Sequence, residues 1–306
     1  DHPDAPLIVV GGGKTGMDTV LAALAQNPKR RISLIKGRGT NFYNRTKNIP
    51  TGFKRWTSGQ LVSGVFCDIA HHFDGGNEDA VIDYIRRTYA TDPGTKNGVF
   101  LYGLQSERER DQSNAGLTES VAGYLEDITN SDAGPQARLR DGTTFDVAPG
   151  SIVVNCSGSF FRGEDLAGEM PLLSPHRTVL SINARDGFHF LTSVSGFFLP
   201  HLLNREALQG AGFYHLDHEA LFRQNRNAWV GASAAQAYLN QLIGLQVLPM
   251  MLLDKCGLDL DRWYPLPRRM AGLIRMKSNA KAGIAHCRTV LDHVADRFGV
   301  RCGPIE

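Results

Sequence analysis

An uninterrupted apolar run opens the chain and leads into positions that repeat with a helical period. Leu7–Val10 is wholly apolar, glycines follow at positions 11, 12, 13 and 16, and residues 17–24 carry apolar side chains at helical spacing. A second, mostly apolar stretch, Ile32–Ile35, comes after a break at Asn27-Pro28. The pattern predicts a strand, a helix and a second strand over residues 7 to about 36.

The middle of the chain is polar and aromatic at first and then rich in turn signals. A helix is predicted over residues 77–89 and a short buried strand over 98–103. Four strand-like segments follow, at 118–128, 136–140, 143–147 and 151–155, with a two-residue hairpin predicted at Asp141-Gly142. They indicate an antiparallel meander that ends in the apolar run Ile152-Val153-Val154.

The remaining residues favour helices. Two further strands are predicted at 179–182 and 188–192, and helices at 206–208, 218–222, 232–253 and 282–298. The predicted fold class is α/β: a Rossmann-like dinucleotide-binding domain with an inserted antiparallel β-meander, followed by a mainly helical C-terminal region. Residues 1–158 form the predicted NAD(P)-binding domain, and residues 159–306 form the second region.

The glycines after the first strand have the spacing G-x-G-x-x-G and lie between a strand and a helix, the context in which this motif binds a dinucleotide diphosphate. Gly11 permits the tight turn, Gly13 permits close approach of the backbone to phosphate, and Gly16 permits close helix–strand packing. Free N–H groups at the helix N-terminus attract anions. The candidate diphosphate-binding residues are Gly11, Gly12, Gly13, Lys14, Thr15 and Gly16.

The end of the second strand indicates which dinucleotide is bound. An NAD or FAD site carries an acidic residue about 20 residues beyond the last glycine. This chain has Lys36 there and Arg38 two residues on. Because cations attract a 2′-phosphate and leave a bare ribose without its acceptor, the pattern favours NADP(H). The alternative is that both are solvated loop charges. Weaker candidates for the ribose, the phosphates or the cofactor cleft are Asn41, Asn44, Arg45, Cys156, Ser157 and Gly158.

Charge and cysteine content exclude several classes of protein. The 33 Lys and Arg nearly balance the 31 Asp and Glu, so no bulk field favours nucleic acid or a membrane surface as partner. No apolar run reaches the length of a membrane span. The five cysteines lack a C-x-x-C pair, which argues against a dithiol redox enzyme and suits reduced thiols in a cytoplasmic protein.

Other motifs give weaker signals. Tyr43-x-x-x-Lys47 matches the catalytic string of short-chain dehydrogenases but follows the second strand, too early for that fold, and the glycines lack Walker spacing. His215 and His218 are expected to be surface polar residues rather than metal ligands, because zinc needs three or four convergent ligands. No metal site is predicted. The chain starts at Asp1 without an initiator Met, which suggests a fragment or processed product.

The order of these elements resembles the two-dinucleotide flavoprotein oxidoreductases, and among them the flavin-containing monooxygenase-like enzymes. The segments that carry the resemblance are residues 9–18, with the glycine motif, and residues 152–158, an apolar strand ending in Ser157-Gly158 where that family has Thr-Gly. The resemblance covers residues 7 to about 200 well and the helical remainder loosely, and it implies that residues 159–306 are the remainder of a FAD-type domain plus a helical C-terminal region. It implies an NADPH-dependent enzyme that reduces FAD and acts on a small-molecule substrate.

The family also has an earlier glycine motif that binds FAD, and this sequence lacks it. FAD is therefore expected only if a missing N-terminal part, or a partner segment or chain, supplies its site. The alternative is a non-catalytic NADP(H)-binding sensor or scaffold module without flavin. A yellow protein would favour the enzyme, and a colourless NADPH-binding protein would favour the module or a missing flavin half.

Overall fold

The structure, a computed structural model, describes residues 2–95, 98–131, 134–158, 174, 176, 199, 201–202, 204–208, 210–255 and 258–305. The strands predicted at 179–182 and 188–192 lie outside the described residues. The chain divides into two compact units, one of residues 1–46 and 86–159, the other of residues 47–85 and 160–306.

The first unit contains most of the strands. Its elements, with α2 and α5 crossing the unit boundary, are β1 (Leu7–Val10), α1 (Lys14–Gln26), β2 (Ile32–Ile35), β3 (Thr40–Asn44), α2 (Arg45–Asn48), α5 (Glu78–Tyr89), β4 (Val99–Gln105), α6 (Glu107–Gly116), β5 (Glu119–Val121), β6 (Leu125–Ser131), β7 (Gly134–Leu139), β8 (Thr144–Asp146) and β9 (Ile152–Asn155).

A parallel sheet in the order β5-β2-β1-β9 forms the centre of this unit. Val10, the last residue of β1, is in register with Ile35 of β2 and Asn155 of β9. The carboxyl ends of these three strands therefore lie at one edge of the sheet. Because β2 lies on one side of β1 and β9 on the other, the loop after β1 is at the point where the strand order reverses.

Both faces of the parallel sheet are covered. Successive side chains of a strand point to opposite faces, and Leu7 and Val9 of β1 pack with Met17 and Val20 of α1. Ile8 belongs to a second cluster with Ala137 and Leu139 of β7. Burial on both faces explains why β1 is an apolar run rather than an alternating pattern.

Strands β6, β7 and β8 pair antiparallel in that order and supply the second cluster. The single strand predicted over 118–128 is instead two strands, β5 and β6. Gly123, with φ +133°, separates them. The hairpin between β7 and β8 has three loop residues rather than two, since Leu139 pairs with Thr143 and Gly142 has φ +87°. Positive φ at the third loop position is typical of a G1 bulge.

Residues 40–44, part of the predicted polar and aromatic stretch, form strand β3. It pairs in parallel with β4 to make a separate two-stranded sheet. Phe42 is buried and joins the cluster under α1. The segment is therefore structural core as well as a connection.

The second unit is mainly helical. Its elements are α3 (Lys54–Thr57), α4 (Val62–His72), β10 (Tyr214–Leu216), α7 (His218–Gln224), α8 (Arg226–Val247), α9 (Met250–Lys255), α10 (Leu266–Phe298) and β11 (Cys302–Pro304), with β10 and β11 paired antiparallel.

Helix α8 is the core of this unit, buried continuously over residues 228–244 and packed against α4 and α10. Its glycines and alanines permit the close approach: a Cβ on Gly231 would lie 2.6 Å from the Phe73 ring. Buried Asn240 accepts a hydrogen bond from the Tyr214 N–H at 2.8 Å and donates to its carbonyl oxygen at 2.9 Å. These bonds satisfy the backbone of β10.

Several predictions for the C-terminal region were wrong in detail. The predicted helix at 206–208 is a turn in which Glu206 has φ +57°. The helix predicted over 232–253 is interrupted: α8 ends at Val247, Leu248 is extended and Pro249 follows, as expected for a residue before proline. Helix α10 is 33 residues long and begins well before the predicted residue 282.

The boundary between the units also differs from the single division predicted at residue 158. Residues 47–85 group with the C-terminal residues, because α4 packs on α8 and α10. Among the described residues, no helix has the length and apolar character needed to cross a bilayer.

Candidate functional site

The loop between β1 and α1 carries the predicted diphosphate-binding residues, and its glycines occupy three different environments. A Cβ on Gly11, which has φ +118°, would lie 2.5 Å from the Cys156 carbonyl oxygen, and one on Gly16 would lie 1.9 Å from the Gly11 oxygen. A Cβ on Gly12 would lie 2.8 Å from the Lys36 carbonyl oxygen. These three glycines pack the loop against β9, α1 and the end of β2.

Gly13 differs from these neighbours. It is the N-cap residue of α1 in an extended conformation, and a Cβ there would have no atom of the described chain within 4 Å. No side chain caps this helix end, and no acidic residue lies in its first turn. The first turn therefore presents backbone N–H groups and the positive end of the helix dipole to open space, a combination that attracts anions.

Lys14 and Thr15 lie in this first turn. The Lys14 ammonium pairs with Asp18 one turn on and lies 3.8 Å from Glu109. Thr15 is exposed, and its carbonyl oxygen accepts a hydrogen bond from Thr19. Because the Lys14 charge already has acidic partners, Lys14 offers a ligand mainly its backbone, whereas Thr15 offers both its backbone and its exposed side chain.

Glu109 is an acidic residue that the sequence analysis did not single out. It closes a capping box with Ser106 at the start of α6, and Arg45 lies 3.3 Å from its Oε1. Burial alone would raise the pKa of its carboxyl. Hydrogen bonds from Ser106 and the charges of Arg45 and Lys14 make the net change a lowered pKa. Its sequence signal is the capping-box pattern Ser-x-x-Glu.

The end of β2 lies directly beside the loop. The Gly11 N–H donates to the Ile35 carbonyl oxygen at 2.8 Å, and Gly12 faces Lys36. Lys36 and Arg38 are exposed, and neither side chain has a hydrogen-bond or ion-pair partner in the described part of the chain. Two cations without a partner among the described residues therefore lie at the end of β2, where the sequence analysis predicts contact with a 2′-phosphate.

Two further residues, Tyr124 and Arg140, lie beside the end of β2, and the sequence analysis did not identify them. A Cβ on Gly37 would lie 3.2 Å from the Tyr124 ring, and the Arg140 guanidinium lies over that ring at 5.7 Å from its centroid. Tyr124 is 40% exposed. Gly37 and Gly123 exchange backbone hydrogen bonds of 3.0 Å, which hold the two segments together. Pairing between residues far apart in the chain brings Tyr124 beside Gly37, so no local pattern could identify it.

Asn41 and Asn44 are engaged within their own unit. Asn41 is buried and donates to the Gly98 carbonyl oxygen at 2.9 Å, and buried Asn44 donates to Glu107 Oε1 at 2.6 Å. Arg45 donates to the Leu104 carbonyl oxygen at 3.1 Å in addition to its contact with Glu109. These bonds join β3 to β4 and α6, and a cofactor role for the three residues stays a prediction.

At the end of β9 the backbone, rather than the side chains, adjoins the glycine loop. The Cys156 N–H donates to the Val10 carbonyl oxygen at 2.7 Å, while its side chain is buried in the cluster beneath α1 with Sγ 3.4 Å from Thr19 Oγ1. Ser157 donates to Asn155 Oδ1 at 2.7 Å. Gly158 has φ +67°, and no atom of the described residues lies within 4 Å of its Cβ position.

Tyr43 and His218, which belong to the two minor motifs of the sequence analysis, are both buried. Tyr43 is buried within β3, and burial raises the pKa of its hydroxyl well above the usual value, the opposite of what a proton-transferring tyrosine needs. The prediction that His218 is a surface residue was wrong: it is 1% exposed, and its Nδ1 accepts a hydrogen bond from Trp229 Nε1 at 3.1 Å. Its side chain, at the start of α7, is buried in the core of the second unit.

Comparisons with known proteins give one distant likeness. No family model and no curated protein matches the chain. Among solved structures, L-lysine 6-monooxygenase from Pseudomonas syringae is similar at 15% identity and a TM-score of 0.27, over 56% of this chain and 37% of that chain. A likeness this distant assigns neither fold nor activity to this chain.

Proposed function

We propose that the first unit binds NADP(H) and that the protein is the NADPH-binding part of a flavin-dependent oxidoreductase, of a monooxygenase-like kind. The observation that carries the proposal is that no described residue fills the space at Gly13, next to the uncapped N-terminus of α1 and beside Lys36 and Arg38, whose side chains have no described partner.

The diphosphate would lie against the first turn of α1. Backbone N–H groups there are anion donors, and the missing side chain at Gly13 leaves room for phosphate oxygens. Gly11, Gly12 and Gly16 leave no such room for phosphate, because neighbouring atoms already occupy the positions of their Cβ atoms. Their contribution is to fix the loop.

The adenosine 2′-phosphate would lie between Lys36 and Arg38. A guanidinium can bind two phosphate oxygens at once, and an ammonium adds a point charge. The exposed Tyr124 ring, with Arg140 over it, offers a flat surface beside them against which an adenine could stack. NAD(H) would lose the phosphate contact and gain no acidic partner for its ribose.

The flavin part of the proposal depends on the sequence resemblance. When both cofactors are bound, the nicotinamide supplies a hydride and the flavin accepts it, so few protein side chains need transfer protons. The described residues of the first unit agree with a binding role, since their titratable groups near the loop are paired or exposed. A small-molecule substrate would react at the flavin.

A second candidate is a sensor or scaffold module that binds NADP(H) without turning it over. The observation that favours it is the absence of a second G-x-G-x-x-G from the 306 residues. In that case the nucleotide would act through binding alone.

Calorimetric titration of the purified protein with NADPH and NADH, together with its visible absorbance spectrum, tests both candidates. We expect NADPH to bind more tightly than NADH. A flavin band that NADPH bleaches under anaerobic conditions supports the oxidoreductase, whereas a colourless protein that binds NADPH supports the module or a flavin half supplied elsewhere. If saturating NADPH gives no heat and no protection against unfolding, the cofactor proposal is wrong.

A further inference from the structure

A cleft of about 840 Å³ lies within the second unit, between α4 and α10, with Tyr238 of α8 among its lining residues. Small residues leave it unfilled: Gly64 on α4 and Ala271 and Ala282 on α10 line it. The volume is in the range of small-molecule sites, roughly 300–1,000 Å³. The proposed NADP(H) site lies in the other unit, so this cleft is outside that function.

The charged groups that line the cleft favour an anion. Arg275 lines it and is exposed, and its guanidinium has no hydrogen-bond or ion-pair partner among the residues that the structure describes. Arg268 also lines it but donates to the Ser58 and Gly59 carbonyl oxygens. The acidic lining residue is Asp68, which accepts a hydrogen bond of 2.5 Å from Tyr84 and lies 3.5 Å from His72 Nδ1. Arg275 is therefore the available charge.

Neutral polar groups complete the lining. Asn279 follows Arg275 by one turn of α10, and its amide has no partner in the described chain. On α4, His71 Nδ1 lies 2.7 Å from the Cys67 carbonyl oxygen. At this distance from a carbonyl oxygen, Nδ1 is the donor and the oxygen is the acceptor.

Cys67 is a neutral component of the lining rather than a nucleophile. Its Sγ lies 3.5 Å from His71 Nδ1, but burial raises the pKa of the thiol, and the Tyr238 hydroxyl and Arg275 offset this only in part. A catalytic cysteine needs a lowered pKa. The chemistry of the cleft is therefore binding without a covalent step.

We propose that this cleft binds a small organic carboxylate with an apolar body. The carboxylate pairs with the Arg275 guanidinium and the Asn279 amide, and the apolar body lies against Leu61, Met276 and the alanines of α10. Arginine suits this role because its planar fork matches the two oxygens of a carboxylate.

The experiment uses a panel of acids that differ in their apolar body, namely butyrate, octanoate, benzoate and indole-3-acetate, each beside its neutral amide. Binding to the full chain is measured by ligand-observed NMR and calorimetry. We expect at least one acid to bind, and its amide to bind about tenfold more weakly or worse, as a lost charge-assisted hydrogen bond requires. The bound acid should also slow alkylation of Cys67 by N-ethylmaleimide, followed by peptide mass spectrometry.

Single substitutions identify the cation that binds the acid. Arg275→Gln should weaken acid binding about tenfold and Arg275→Lys by less, while Lys277→Gln, an exposed cation on the same helix that does not line the cleft, should leave it unchanged. Thermal unfolding of each variant checks that the fold is retained. NADPH binding serves as an independent readout, since it belongs to the other unit.

Three outcomes would overturn the inference: no acid of the panel binds, amides bind as well as acids, or Arg275→Gln binds the acid unchanged. Loss of binding in Lys277→Gln to the same extent would also overturn it, because that result indicates unspecific attraction by surface charge. None of these outcomes bears on whether NADPH binds.

Discussion

The Gly16 Cα lies so close to the Gly11 carbonyl oxygen that a methyl group on Gly16 would lie 1.9 Å from that oxygen. The oxygen is backbone and cannot rotate away, so any side chain at position 16 must displace the loop. A Cβ on Gly13, three residues earlier, would have no atom of the described residues within 4 Å. Two glycines of one motif thus serve different purposes: one permits the loop to pack, and the other leaves room outside it.

This difference gives a matched pair of variants. Gly16→Ala should destabilise the protein by about 1–3 kcal/mol, the usual cost of forcing a methyl group into a packed site. Gly13→Ala should leave the unfolding midpoint almost unchanged, because its backbone is extended and its Cβ would meet no atom of the described residues. It should nevertheless weaken NADPH binding about tenfold or more. Calorimetry and thermal unfolding of both variants measure the two effects separately; NADPH binding at wild-type strength in Gly13→Ala would contradict the phosphate role.

The cations at the end of β2 should discriminate between the two nicotinamide cofactors. Replacing Lys36 and Arg38 together with alanine should weaken NADPH about tenfold or more and leave NADH nearly unchanged, since only NADPH carries the extra phosphate. The control is Lys29→Ala with Arg31→Ala, two exposed cations that precede β2. Competition titrations give both dissociation constants, and an equal loss for NADPH and NADH would show that the phosphate lies elsewhere.

Buried His218 should make stability depend on pH. Burial lowers the pKa of its imidazole from 6.5 to about 3, offset only in part by a hydrogen bond with Gln236. Between these values the unfolded chain binds a proton that the folded chain does not. The contribution of neutral His218 to the free energy of unfolding is therefore complete above pH 6.5. It is lost as the pH falls toward 3, at up to about 1.4 kcal/mol per pH unit.

His218→Asn tests this, because the amide oxygen keeps an acceptor for Trp229 but does not titrate. Urea unfolding between pH 7 and pH 4.5 should show a shallower loss of stability in the variant than in the wild type. His2→Asn, a change at an exposed histidine, should keep the wild-type slope. Parallel slopes for all three proteins would mean that His218 is protonated in the folded state.

Two glycines of α8 provide a test of core packing. A Cβ on Gly231 would lie 2.6 Å from the ring of Phe73, which is fully buried, whereas one on Gly244 would be in ordinary contact at 3.8 Å from Leu253. Gly231→Ala should cost about 1–3 kcal/mol. Gly244→Ala should be neutral or stabilise by up to about 1 kcal/mol, through helix propensity. Chemical denaturation distinguishes them, and equal effects would show that α8 does not pack on Phe73 as closely as described.

The parts of the fold that could be predicted are those specified by neighbouring residues. The apolar runs of β1, β2 and β9 and the glycine spacing before α1 are local patterns, and each is found at the predicted position. The first half of α10 was missed. Its exposed side includes Leu266, Met270 and Ile274, so its apolar pattern does not mark its buried face. Packing of Gly272 against Leu61 and the ion pairs of Arg269 with Asp254 and Asp259 hold this segment instead.

The sequence alone determined that a strand, a glycine turn and a helix follow one another, and that cations rather than an acid end the second strand, because these features depend on residues close together in the chain. Tertiary structure alone decided that β3 pairs with β4, that residues 47–85 pack with the C-terminal helices, and that Tyr124 lies beside Gly37. It also decided which cations keep a partner from a distant part of the chain: Lys14 lies 3.8 Å from Glu109, whereas the side chains of Lys36, Arg38 and Arg275 pair with no described residue. Such contacts join residues far apart in the chain, and burial and pairing exist only once the chain has packed.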